Sequence, residues 1–166
     1  RRQPGRRVNA AMSLRLPGQP AARRQKSLFS MNTRMGTPMN NTIITTNQSS
    51  PAFGPFSQAV LKDGTLYTSG LMPFLPGSGD LVSTDLEEQM HQCMRNMKAI
   101  LAAAEMRLDD LVMVTIFTTD MKEFASLNKV YSSYFEAAAA FPSRAAVGVS
   151  ALAKGARVEL TAIARK

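Results

Sequence analysis

The sequence predicts an α+β domain in which two helices cover one face of a mixed β-sheet. Two observations predict it. Apolar residues recur at steps of three and four in two stretches, and β-branched or alternating segments surround those stretches. Strands precede, separate and follow the two helices, so each helix is a crossover between strands.

The elements follow in chain order. Thr42–Thr46 is β-branched and reads as a strand. Ser57–Leu61 and Leu66–Leu71 flank Lys62-Asp63-Gly64, a tight-turn signal that joins them as a hairpin. Gly77-Ser78-Gly79-Asp80 is a loop and no phosphate cradle, because no strand and helix frame it. The first helix carries Leu86, Met90, Cys93, Met94, Met97, Ile100, Leu101 and Ala104 on one face. Thr84 with Glu87 three residues on marks its start as a capping box. Leu111–Thr119 is rich in Val, Ile, Thr and Phe and reads as a strand. The second helix carries Phe124, Leu127, Val130, Tyr131, Tyr134 and Phe135, with Asp120 and Glu123 in the cap pattern. Ala145–Ala151 is a small-residue strand between Pro142 and a turn at Lys154-Gly155. Arg157–Ala164 alternates, with Val158, Leu160, Ala162 and Ala164 on one face. The sheet face away from the helices also carries apolar residues, which predicts burial against other copies of the chain.

Composition narrows the function classes. A chain of 166 residues, 45% of them apolar, makes one domain, here with a tail. One cysteine excludes a disulfide scaffold and one histidine excludes a multi-histidine metal site. No apolar run approaches the roughly 20 residues of a membrane helix. The net charge of +8 belongs to the N-terminus: nine of the 20 basic residues precede Met39, and all 12 acidic residues follow it. Residues 39–166 therefore form a near-neutral domain, and residues 1–38 a basic extension too poor in large apolar residues to fold alone. Three readings of that extension stand: an organellar presequence, which makes the protein mitochondrial; an arm for RNA or anionic lipid; or a plain extension of a cytoplasmic protein. The first residue is Arg1, so the chain reads as trimmed or partial.

Few residues carry chemistry. His91 lies off the apolar stripe with no partner and reads as a solvated helix residue, while Cys93 reads as a core thiol. No P-loop, HExxH, GxSxG or CxxC is present. Three polar residues remain. Arg144, among small residues, offers a bidentate fork for a carboxylate. Glu159 lies mid-strand, where a carboxylate can orient or deprotonate water. Asn128 sits on the second helix.

These residues stand inside text that is similar to a known family. The matching segments are Pro51-Ala52-Phe53-Gly54-Pro55-Phe56-Ser57-Gln58-Ala59, Thr68-Ser69-Gly70, Val114 to Met121, Phe124 to Tyr131, Phe141-Pro142-Ser143-Arg144-Ala145-Ala146-Val147, and Val158 to Ala164. Their order and spacing resemble the RidA/YjgF family of enamine/imine deaminases, also called the L-PSP endoribonuclease family. The likeness runs from about Thr42 to Arg165 and leaves the basic extension outside.

The resemblance implies a chorismate-mutase-like fold and a homotrimer with active sites between subunits. It implies hydrolysis of 2-imino and enamine acids such as 2-aminoacrylate to 2-keto acids and ammonia, without metal or cofactor. It makes Arg144 the clamp on the substrate carboxylate and Glu159 the acidic residue associated with the attacking water. Asn128, Ser69 and Gly70 line the cleft. Phe56 stands where the bacterial archetype has a tyrosine, and Ala146 where it has a cysteine. The missing hydroxyl at Phe56 predicts slower turnover or a different substrate choice. Two rivals follow: an RNA-cleaving or translation-inhibiting protein, and a non-catalytic trimer that binds carboxylate ligands. RNA is the weaker partner, because a near-neutral domain neutralises few phosphates.

Overall fold

The computed structural model describes residues 41–135 and 140–166; the basic extension and its boundary at residue 39 lie outside them. Six strands form one sheet in the order β1-β2-β3-β6-β4-β5. They are β1 Thr42–Ile44, β2 Ala59–Lys62, β3 Thr65–Thr68, β4 Leu111–Thr118, β5 Ser143–Gly148 and β6 Val158–Arg165. All neighbours are antiparallel except β4 and β5, which are parallel. Helix α1, Leu86–Ala103, connects β3 to β4, and helix α2, Phe124–Ser132, connects β4 to β5. β5 and β6 are consecutive yet unpaired, since β4 lies between them.

Local chemistry explains the connections. Asp63 and Gly64 both take positive φ, 50° and 75°, as a tight two-residue hairpin turn demands. The N-cap of α1 is Asp85, one residue beyond the expected Thr84: its carboxylate accepts from Glu88 N at 2.8 Å. A carboxylate there also complements the helix dipole, which a hydroxyl does not. Asp120 caps a 3₁₀ turn, Met121–Glu123, and α2 proper starts at Phe124. Tyr134 and Phe135 lie just past its end, so the expected stripe outruns the helix. β5 begins at Ser143, two residues before the expected start, and takes in Arg144.

The core lies between the helices and one sheet face. Met90, Met94, Met97 and Leu101 of α1 and Leu127 of α2 pack with Leu66, Val114, Ile116, Val158 and Leu160, all essentially inaccessible. Cys93 is in this core, and burial pushes its thiol well above the ordinary value. Three core positions of α1 are polar. Gln89 accepts from Arg157 N at 2.7 Å and donates to Ser83 O at 2.8 Å. Asn96 donates to Met72 O and Phe74 O, at 2.9 and 3.0 Å, and accepts from Gln92 Nε2 at 2.9 Å. These amides tie α1 to the backbone leading into β6 and to the segment after Gly70. His91 is no solvated bystander: half-buried, its Nδ1 is 2.9 Å from Tyr134 OH, which pins the end of α2 to α1. No helix among the described residues is long and apolar enough to cross a membrane.

Candidate active site

The sheet divides the candidate residues between its two faces. Along β4, Val114, Ile116 and Thr118 are buried beneath the helices, and Thr115 and Phe117 face the other way. Arg144 pairs in register with Val114, so it stands on the helix face. Glu159 pairs with Phe117, so it stands on the open face. The two are separated by one intervening strand and a register offset of three residues, about 10 Å across and about 10 Å along the sheet. One chain does not bring them together.

On the helix face, Arg144 lies at the edge of a cleft of about 570 Å³. Its guanidinium carbon is 4.8 Å from the Tyr131 ring centroid and 5.6 Å from that of Phe124. Stacking fixes the plane of the fork and leaves its N–H edge for a ligand. Among the described residues no carboxylate forms a salt bridge with it. Asn128, Lys129, Phe141 and Pro142 share the cleft lining. The spacing of Phe124, Asn128 and Tyr131 puts all three on one side of α2. Tyr131 is buried, and its hydroxyl finds no partner among the described residues. Ala146 shares the face of Arg144 yet packs on the core, outside the cleft lining.

On the open face, Glu159 is half-buried over Gly70. A Cβ at position 70 would strike Glu159 Oε1 and stand 2.8 Å from its Cδ, so only glycine lets the carboxylate lie against the backbone. Burial raises the pKa of Glu159 above the ordinary 4.5. The expected strand Leu66–Leu71 is broken at this point. β3 ends at Thr68, and the chain rejoins the sheet only at Leu71, which exchanges backbone hydrogen bonds with Leu160. The break is Ser69-Gly70. Ser69 donates from Oγ to Ser57 O at 2.7 Å, so it holds the preceding loop and its N–H bonds Gln58 O. Phe56, a half-exposed residue, lines a small hollow with Ser69 and Gly70 that reaches Leu71, Phe74 and Ile100 on the core side. The rest of this face exposes Ile43, Tyr67, Met113 and Val147.

Sequence reasoning missed the aromatic seat of Arg144 and the amides Gln89 and Asn96. The first had a signal in Phe124 and Tyr131, which were read only as core stripe. Gln89 and Asn96 are seven residues apart, a helix-face repeat of polar residues inside an apolar stripe, and that spacing was a signal too.

The architecture is that of a small α+β protein with two helices backing one face of a mixed six-stranded sheet and a polar break in β3. The model of the endoribonuclease L-PSP family matches residues 46–166. The chain therefore belongs to that family, the RidA/YjgF family. It is 42% identical over 122 residues to the 2-iminobutanoate/2-iminopropanoate deaminase of Homo sapiens, covering 74% of this chain and 88% of that one. A RutC family protein of Pyrococcus horikoshii is 41% identical over 77% of this chain and 99% of its own. Among solved structures, E. coli TdcF with bound serine matches at TM-score 0.71 and 36% identity, over 75% of this chain and 98% of that one. A Rid-family protein from Yersinia pestis matches at TM-score 0.73 and 41% identity, over 76% and 100%.

Proposed function

We propose that the protein is a hydrolytic deaminase of reactive 2-imino and enamine acids, acting as a homotrimer with water as its only co-reactant. Its substrates in this reading are 2-aminoacrylate, 2-iminopropanoate and 2-iminobutanoate. The observation that carries the reading is Arg144, its guanidinium over two rings at the edge of a cleft and without a carboxylate partner among the described residues. The names of the mammalian relatives and the serine bound to TdcF, an amino acid with an α-carboxylate, support it.

The chemistry follows from the groups present. Arg144 grips the α-carboxylate in a bidentate pair, and Asn128 lies on the same wall. An enamine substrate first takes a proton from solvent at C3 and becomes the iminium; Glu159 then takes a proton from water as the water oxygen bonds to C2. The resulting carbinolamine receives that proton on nitrogen; as the C–N bond breaks, Glu159 takes the hydroxyl proton, the C=O bond forms, and ammonia leaves a 2-keto acid. A carboxylate with a raised pKa suits the steps in which it takes a proton, because it accepts one more readily than an ordinary glutamate. Ser69 and Gly70 line the floor beneath it. Since Arg144 and Glu159 occupy opposite faces, each site combines the Arg144 cleft of one subunit with the Glu159 face of another. The exposed apolar residues of the open face give a second copy something to cover. Residues 1–38, which precede the family match, act in this reading as a mitochondrial presequence.

The test is to generate 2-aminoacrylate in place with a serine dehydratase and measure keto-acid release with and without the protein. Acceleration by the wild type that is lost in Arg144→Ala supports the deaminase reading. No acceleration by a folded trimer overturns it for this substrate and leaves the non-catalytic carboxylate-binding trimer. RNA cleavage that disappears with residues 1–38 would point to the endoribonuclease reading instead.

A further inference from the structure

The segment Pro51–Ser57 has no regular secondary structure, yet it supplies Phe56 to the hollow lined by Ser69 and Gly70, and Gly70 is the residue against which Glu159 lies. Something must hold it. At its C-terminal end, Gln58 Nε2 donates to Ser50 O at 2.7 Å and Thr46 O at 3.0 Å, and its Oε1 accepts from Thr46 N. In its middle the only large anchor is Phe53, whose ring is half exposed.

That ring sits in a clasp drawn from two other loops. On one side is Gly79, at φ +69°, where any Cβ would run into the Phe53 ring. Beneath is Phe74, edge-on, with ring centroids 6.2 Å apart and planes at 74°. Phe74 is itself fixed, since it is buried and its carbonyl accepts from Asn96. On top is Lys154, whose Nζ lies 3.9 Å from the Phe53 centroid and 5.3 Å from that of Phe74. Among the described residues no carboxylate forms a salt bridge with Lys154. Its backbone is in the left-handed region, φ 53° and ψ 30°, which a lysine seldom adopts. The next residue, Gly155, also has positive φ, 76°. The turn before β6 is therefore held in an uncommon conformation with its cation over an aromatic face, an arrangement to be expected of a functional constraint.

We propose that Lys154 is a positioning residue of the site. Its ammonium closes the clasp on Phe53, which fixes Pro51–Ser57, and with it Phe56, as a wall over Ser69 and Gly70, next to the carboxylate of Glu159 that lies on Gly70. The proposal rests on the site reading above and extends it to the residue that orders one wall. Lys154 touches no reacting atom in this scheme. Its loss should weaken the binding of substrate and transition state alike, so KM rises while kcat changes little.

The experiment compares wild type, Lys154→Met, Lys154→Arg and Phe53→Leu in the full chain. Amide hydrogen exchange is followed across residues 52–57, beside kcat, KM and the melting temperature. Methionine keeps the apolar stem and removes the charge; arginine keeps a cation that stacks on a ring. Lys154→Met and Phe53→Leu should speed exchange in residues 52–57 by about threefold to tenfold and raise KM by a similar factor, and Lys154→Arg should do neither. Unchanged exchange in Lys154→Met overturns the proposal. So does an equal effect in Lys154→Arg, faster exchange with an unmoved KM, or faster exchange spread over the whole domain with a lowered melting temperature. A wild type without deaminase activity would overturn the proposed function instead, and the exchange rates of the lysine variants would then decide the clasp by themselves.

Discussion

Arg144 and Glu159 belong to the same sheet, yet their surroundings differ in kind. Arg144 sits on the helix side, where α2 provides two aromatic rings and a polar cleft. Its charge remains near water and its plane is set by stacking. Glu159 sits on the open side, pressed on the backbone of Gly70, where burial disfavours its charged form. The first environment suits a group that must stay ionised and hold a carboxylate. The second suits a group that must gain and lose a proton. A single sheet keeps the two apart by pointing alternate residues to opposite sides, and in the proposed site a second copy of the chain brings one of each together.

The largest effect should come from the clamp. Arg144→Ala removes the cation seated on the Phe124 and Tyr131 rings and should lower kcat/KM about 10³-fold, the scale of a lost charge-assisted bidentate contact. Thermal stability should hardly move, because Arg144 is exposed. Steady-state kinetics on enzymically generated imino acid beside a melting curve checks both. A large drop in melting temperature would make Arg144 a structural residue and break the division.

Next in size is the base. Glu159→Gln should cost about 10²-fold in kcat. Its pH signature is more telling. The raised pKa means that the proton is held to higher pH than by an ordinary glutamate, so activity should fall on the acid side at a pH above 4.5. The sign for stability is the reverse. A carboxyl whose folded-state pKa is raised stabilises the fold fully below its unfolded pKa, and this contribution is lost as pH rises through the folded value. Acid therefore silences the site while favouring the protonated, buried form. A pH–rate profile whose acid limb vanishes in Glu159→Gln is the expected result. A limb near pH 4 would remove burial from the argument.

The comparison sharpens when the two variants are mixed. In the proposed trimer, Arg144→Ala and Glu159→Gln chains, each nearly inactive alone, should recover activity when unfolded and refolded together. If each site takes Arg144 from one subunit and Glu159 from its neighbour, random mixing restores about a quarter of the sites. Recovery of nothing would place both groups in one chain's site and contradict the geometry of opposite faces.

How much of this was legible in the sequence depends on which side of the sheet is considered. The helix face was readable, because periodic stripes in α1 and α2 and alternation in β6 fix what is buried. The open face was readable only as an apolar surface awaiting cover. What escaped were the departures from regularity: the break of β3 at Ser69-Gly70, the cap on Asp85 and the clasp of Lys154. Each arises from a contact between segments distant in sequence, such as Glu159 over Gly70 or Gln89 on Arg157 N. Local propensity says nothing of such contacts. The roles proposed for Arg144 and Glu159 rest on resemblance; the spacing by itself gives only an arginine among small residues and a carboxylate in a strand.

The smallest predicted effect concerns what the Glu159 half lacks. The Phe56 ring already lines the hollow over Ser69 and Gly70, half exposed and in contact range of Gly54. Phe56→Tyr adds a hydroxyl at the rim without displacing packed atoms, so the melting temperature should not change. If that hydroxyl holds the water that Glu159 activates, kcat should rise by up to about tenfold with KM nearly constant, as an interaction made in the transition state requires. The gain should then disappear in a Glu159→Gln background, because the two groups would act on one water and their effects would not add. A gain that survives in that background would assign the hydroxyl to the leaving nitrogen instead. No gain at all would leave Glu159 as the sole proton carrier and Phe56 as a wall, and the asymmetry between a binding half and a proton-transfer half would rest on one carboxylate.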